Sequence, residues 1–346
     1  FSVVGSSAPD GMGRHCLLFL AALALFFALG VWLRDLHRVR AMRWPMAFAA
    51  LGFLALNLLL SETIWGAKNW LSIAGQTLQP SEFVKIAYVY AGAATLDRLF
   101  RRRNLILFIA FSAVCVGALA LMGDFGTALV FFVCFLVISF MRSGSFATLF
   151  LAIGGAALAV MLVLTVKPYV AQRFATWGHA WEDPLNTGFQ QVRTMSATAA
   201  GGLFGRGAGA GWLKNIFAAN TDMVFGVVCE ELGLIVALCC VLSLLLLAVF
   251  SVRSAAAGRS SYYVIASCAT VTILMAQLAL NVFGSLDLLP FTGVTFPFVS
   301  KGGSSLISCW GMLAYIKAGD TRSGGSFALR TSFESARRGK KKEAVK

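Results

Sequence analysis

Charge is scarce in this chain. Only 13% of its 346 residues are Asp, Glu, Lys or Arg, against roughly 25% in a soluble domain. Hydrophobic residues make up 58%, including 29 Phe, and the mean hydropathy is +0.79. This balance argues against a soluble domain. Metal-thiolate spacing is also missing: the eight cysteines (Cys16, Cys115, Cys134, Cys229, Cys239, Cys240, Cys268 and Cys309) all fall in apolar runs, without a CxxC partner or nearby His. They read as small core hydrophobes rather than as zinc ligands. Acids are fewest, 15 against 29 Lys and Arg. Such an excess can signal a nucleic-acid partner, but here it sits in short connections and the tail, where membrane topology accounts for it. Nucleic acid is discarded as a partner. No internal repeat is present.

What the chain has instead is a series of apolar runs. Nine are expected to span a membrane: 14–33, 45–60, 80–96, 105–122, 125–141, 146–166, 223–250, 262–284 and 304–318. The fold class is therefore an all-α, polytopic membrane bundle. Alternate connections carry Arg34, Arg38, Arg40 and Arg43, then Arg98 and Arg101 to Arg103, then Arg142, then Arg253 and Arg259. With the tail, twenty basic residues fall on that side and eight on the other, so the poorer side is outside. Residues 1–13 would then lie outside with no segment to carry them there, and the chain begins with Phe. At least one further helix upstream is the expectation. Residues 1–319 form one membrane-embedded domain, and 320–346 a basic, disordered cytoplasmic tail.

Four outward loops hold the polar chemistry. In 66–85, Trp65 and Trp70 suit a membrane interface. Glu82 and Lys85 stand three residues apart on one helix face, either as a structural ion pair or as functional groups. Residues 122–127 (MGDFGT) form a tight hairpin in which Asp124 is either a turn residue or part of a site. The 167–222 connection is too long to lack structure and should be a folded cap or lid. Its Arg193, Arg206 and Lys214 can meet phosphate oxygens. Asp222 closes it, as a helix N-cap or as a reactive carboxyl, with Glu230 and Glu231 two turns on. Residues 287–305 (DLLPFTGVTFPFVSKGGSS) read as a re-entrant segment, with Lys301 beside two glycines.

Taken in order, these pieces resemble the SEDS family (shape, elongation, division and sporulation), which includes the RodA, FtsW and SpoVE proteins. The resemblance runs through 66–70, Gln79-Pro80-Ser81-Glu82, Gly126-Thr127-Ala128-Leu129, Gly201-Gly202-Leu203-Phe204-Gly205, Thr221-Asp222, Glu230-Glu231-Leu232-Gly233, Leu289-Pro290, Pro297-Phe298-Val299-Ser300 and Gly302-Gly303-Ser304-Ser305. Departures are Asn220 where His is common, Met223 for Phe, Met122-Gly123-Asp124 for Gln-Pro-Asp, and Lys301 for Tyr. The resemblance implies ten helices and a peptidoglycan glycosyltransferase of the bacterial cytoplasmic membrane. It would polymerise lipid II outside the cell during elongation, division or sporulation, beside a class B penicillin-binding protein. It implies that Asp222 is the essential acid and that Trp70, Glu82 and Lys85 serve function. On that basis Asp222 is expected to be the base or the holder of a divalent cation (Mg2+ or Mn2+). Lys85, Arg193, Arg206 and Lys301 would neutralise the diphosphate, and Asp124, Glu230 and Glu231 would support the site. Rival expectations are a lipid flippase, with Glu230, Glu231 and Lys85 lining a path, and a non-catalytic scaffold.

Overall fold

A computed structural model describes residues 12–61, 67–73, 76–97, 102–166, 168–256 and 260–320. Trp65, Gly66, Arg98, Arg101, Lys167, Arg259 and the expected tail beyond Asp320 lie outside the described residues. The helices are α1 (Met12–Trp32), α2 (Leu36–Ala41), α3 (Arg43–Leu60), α4 (Pro80–Leu96), α5 (Arg102–Met122), α6 (Phe125–Ser143) and α7 (Phe146–Val166). They continue with α8 (Pro168–Thr176), α9 (Phe189–Gly201), α10 (Val224–Leu232), α11 (Leu234–Ala256), α12 (Ser261–Ser285) and α13 (Gly303–Gly319). Six of them, α1, α3, α5, α6, α11 and α12, are long and apolar enough to cross a membrane. The chain is a multi-pass membrane protein.

The expected spans at 80–96, 146–166 and 304–318 are helical but outside that set of six. For α4 and α13 the reason is physical. Each has 17 residues, and each packs within the bundle, so it can carry polar groups that lipid would not tolerate. Every residue of α4 except Phe83 and Thr95 is buried, including Ser81, Glu82 and Lys85. Small residues make this packing possible: a Cβ on Gly311 of α13 would come within 2.6 Å of Ile86 and 3.2 Å of Leu25. On the outer helices the balance reverses, with Leu151 of α7 at 80% and Leu246 of α11 at 60% exposure.

One expected element is broken. The apolar run 223–250 divides at Gly233 into α10 and α11. Gly233 has φ +90, and a Cβ there would strike the backbone of Leu203, Phe204 and Gly205. The glycine-rich turn after α9 fits into this break. Its Arg206 and Gly207 N–H groups donate to Glu230 O (2.8 Å) and Glu231 O (3.0 Å). Leu234 N–H donates in return to Gly202 O (3.0 Å). Carbonyls released at the end of α10 thus find partners in the turn rather than in the next helical turn. Periodicity alone cannot reveal such a substitution.

A second departure from all-α is small. Leu71–Ile73 (β1) pairs antiparallel with Gln76–Leu78 (β2), with Leu71 opposite Leu78 and Ser72 opposite Thr77. The 167–222 connection is folded: α8, α9 and a 3-10 turn at Leu213–Asn215 pack with α10. Buried Ala197, Leu213, Met223, Val224 and Phe225 share a core there with Phe291 and Phe296.

At the end of the bundle remote from these loops, buried Asp97 follows α4. Its carboxylate accepts from Arg40 Nε at 2.7 Å and from the Tyr262 N–H at the start of α12 at 3.0 Å. This fixes α4 and α12 relative to one another, and both run from here to the opposite, loop-rich end.

Substituting Gly233→Ala is expected to lower unfolding stability by at least about 2 kcal/mol, through strain and collision together. Gly144→Ala provides the comparison. Gly144 also has positive φ (+60) but open space around it, so its cost is about 1 kcal/mol. Thermal unfolding in detergent checks the order of the two.

Candidate functional site

Asp222 lies where the folded 167–222 connection meets α10. Ala218, at φ +62, turns the chain so that its carbonyl accepts from the N–H groups of Thr221 (3.1 Å) and Asp222 (2.9 Å). The N-cap of α10 is Met223, with no side-chain capping bond. The Asp222 carboxyl is therefore not used as a cap, which was its simplest structural reading.

The re-entrant segment after α12 holds this turn from the other side. Asn281 Nδ2 donates to Asp222 O (2.9 Å) and to Val294 O (2.8 Å). Ser300 Oγ donates to Thr221 O (2.6 Å), and the Lys301 N–H to Asn220 O (2.8 Å). Gly293, at φ +69, faces the carboxyl itself: a Cβ there would stand 3.1 Å from Asp222 Oδ2. Enclosure by these elements desolvates the half-buried Asp222 and pushes its pKa up to about 7. The nearby Asp124 charge acts in the same direction, while the Thr221 hydroxyl and the Arg173 guanidinium oppose it.

Asp124 occupies the adjoining hairpin. It is the N-cap of α6, accepting from Thr127 N–H at 3.1 Å, and it also accepts from Gln79 Nε2 at 3.4 Å. Burial raises its pKa, against the bonds from Thr127 and the charge of Lys85. Close packing brings this hairpin to the re-entrant segment. A Cβ on Gly126 would come within 2.5 Å of Val294 and 2.9 Å of Thr292.

Behind Asp124, at the first turns of α4, Lys85 Nζ donates to Glu82 Oε1 at 2.7 Å, with both side chains buried. Ser308 Oγ of α13 donates to Glu82 O at 2.8 Å. Trp70 is half-buried just before β1, in a stretch tied to the Asp124 hairpin by the bond from Lys68 N–H to Met122 O at 2.8 Å.

The structure thus gathers Asp222, Asp124, Glu82 and Lys85 into one electrostatic group. It gives other expected residues different surroundings. Arg193 lies over the rings of Phe189 (5.3 Å) and Trp212 (6.0 Å). Arg206 pairs with Glu230 Oε1 at 3.6 Å. Glu230 also accepts the N–H groups of Trp212 and Leu213, both at 3.0 Å, so it fastens the cap. Glu231 is buried beside Gly211. Lys301 is half-buried, within electrostatic reach of His15 on α1. Two residues at the site were not singled out from the sequence: Arg173 on α8, and Asn281, whose only signal was an amide one helical turn after Gln277 in an apolar run.

Residues 5–321 match the family model described as cell cycle protein, FtsW/RodA/SpoVE. The chain belongs to that family. It is 28% identical over 332 residues to the peptidoglycan glycosyltransferase RodA of Mycobacterium tuberculosis, covering 90% of this chain and 71% of the relative. With the FtsW of Tolumonas auensis, named as a probable peptidoglycan glycosyltransferase, it shares 32% identity over 324 residues, 88% of this chain and 84% of that one. A chain in the solved structure of a peptidoglycan synthase complex, described as coordinating polymerization and crosslinking, superposes with a TM-score of 0.76 at 28% identity, covering 92% of each. Against the FtsW/RodA/SpoVE pattern, the departures at Asn220 and Lys301 meet one another through the Lys301 N–H and the Asn220 carbonyl. A backbone bond of this kind is open to many side chains, so the fold accepts both departures.

Because Glu82 and Lys85 are buried, loss of either leaves an uncompensated charge. Glu82→Gln or Lys85→Met alone is expected to cost about 3–5 kcal/mol, and the double variant distinctly less than the sum. A double-mutant cycle of unfolding in detergent reads this coupling.

Proposed function

We propose that this protein is a peptidoglycan glycosyltransferase that polymerises lipid II. Membership of the FtsW/RodA/SpoVE family and its relatives' activity support the reaction class. The observation that carries the reading is the enclosed carboxyl of Asp222, held by two loops and flanked by charged groups.

A multi-pass bundle oriented by its basic connections would set this site at the outer surface of the cytoplasmic membrane. The basic connections on the opposite side support that orientation. In the reaction, a sugar hydroxyl of one lipid-linked disaccharide attacks the anomeric carbon of another. The new glycosidic C–O bond forms as the bond to the undecaprenyl diphosphate breaks, and the diphosphate departs with the electron pair. Attack from the face opposite the leaving group inverts that carbon. Asp222 takes the proton of the attacking hydroxyl. Lys85, kept in place by Glu82, supplies positive charge behind Asp124, and Trp70, half-buried in the stretch tied to the Asp124 hairpin, would meet the substrate there.

Among the described residues no group of three or more His, Cys, Asp or Glu side chains stands together. A divalent cation would accordingly be held by Asp222 together with diphosphate oxygens, where it would neutralise the leaving group. A class B penicillin-binding protein is the partner this reading calls for, and the similarity to a chain of a synthase complex supports it.

Reconstituted protein given lipid II provides the test. Asp222→Asn is expected to lower polymer formation by about 10²–10⁴-fold, the range of a lost general base. Polymer made at the normal rate by this variant would overturn the reading. Headgroup translocation without polymer would favour a flippase instead. The ionised carboxylate is the active form, so wild-type turnover should rise as pH passes through about 7. Below that it should fall by about tenfold per pH unit.

A further inference from the structure

Of the cations expected to receive the diphosphate, Arg193 is stacked on aromatic rings, Arg206 is paired with Glu230, Lys85 is paired with Glu82, and Lys301 lies within electrostatic reach of His15. The cation whose charge reaches the Asp222 carboxyl is a different one, Arg173. Its Nη1 donates to Phe291 O at 3.2 Å, from the last turn of α8 to the re-entrant segment. Two residues further along that segment, Gly293 stands against Asp222 Oδ2. One short stretch of backbone therefore has the guanidinium at one end and the carboxyl at the other.

We infer that Arg173 is the residue that binds the diphosphate of the lipid-linked donor, across residues 291–293 from Asp222. This rests on the glycosyltransferase reading, because it identifies which group of the same site meets the leaving group. Geometry supports it in three ways. An inverting displacement separates base and leaving group to opposite sides of the reacting carbon, and Asp222 and Arg173 flank a common segment. The bond to Phe291 O holds the guanidinium in position, and its planar fork matches phosphate oxygens. Finally, α8 starts at Pro168, directly after the apolar α7 ends at Val166. A polyprenyl chain lying along α7 would bring its diphosphate toward α8.

The test measures lipid II polymerisation and the binding of farnesyl diphosphate, a short polyprenyl diphosphate, by reconstituted full chain. Arg173→Gln retains a donor for Phe291 O but loses the charge. It is expected to weaken farnesyl diphosphate binding at least tenfold and to raise KM for lipid II, with the melting temperature unchanged. Arg173→Lys should recover much of both. Wild-type KM and binding in the Gln variant would overturn the inference, leaving Arg173 a merely structural tie. Should the Gln variant fail to fold, the Lys variant decides. Binding no better than that of Arg173→Ala would then count against it, and clear recovery for it. Asp222→Asn is run alongside. Lost polymer with intact farnesyl diphosphate binding supports both readings. A wild-type protein that makes no polymer, yet binds the probe only when position 173 is cationic, overturns the glycosyltransferase reading alone.

Discussion

The site depends on the two hydrogen bonds made by one amide, that of Asn281. Irregular backbone within a membrane protein is stable only if its polar groups find partners inside the protein. The segment after α12 turns through positive φ at Asp287, Gly293 and Phe298 and has no ladder of its own. Its groups are satisfied one at a time, Val294 O by Asn281, Phe291 O by Arg173 and Phe296 N–H by Ser300 Oγ. Because Asn281 also holds Asp222 O, the bond that stabilises the segment fixes the position of the carboxylate-bearing turn. Support of the fold and alignment of the site are the same contact.

The 167–222 connection obeys a related rule. Glu230 is a fully buried carboxylate, tolerable because it accepts two backbone N–H groups and pairs with Arg206. The glycine turn on which Arg206 lies also supplies partners to the end of α10. A break in a helix at this depth would otherwise leave carbonyls unpaired. With them paired, α10 can end, Asp222 can stand at its start, and α11 can leave in its own direction toward the membrane.

Much of this was legible in the amino-acid order, for a physical reason in each case. Helices that cross a membrane must be apolar, so α1, α3, α5, α6 and α12 stood out as runs. Glu82 and Lys85 could be placed on one helical face because i and i+3 are neighbours there. Asp124 between glycines marked a turn. What was hidden depends on distant partners. Gly233 is an ordinary helix residue until Leu203 and Phe204 come against it, and only the close approach reveals why the run splits. The acidic partner of Arg206, Glu230, is far enough along the chain to give no local signal, and so is Trp212, the second ring beside Arg193. Arg173 was passed over for the same reason, since Phe291 lies 118 residues away.

At the site two neighbouring acids stand between two cations: Lys85 acts on Asp124, Asp124 on Asp222, and Arg173 on Asp222. Two carboxyls placed in electrostatic reach of one another make ionisation of both costly, and the flanking cations offset part of that cost. A lipid-borne diphosphate changes the balance. On the proposed reading its negative charge would be drawn to the guanidinium and repelled by the two acids, so that it would settle against Arg173 rather than beside Asp222. From there it would add further negative potential at Asp222 and make the carboxylate more ready to accept a proton. Binding of the donor would thus strengthen the base at the moment an acceptor hydroxyl needs one, without any movement of the backbone.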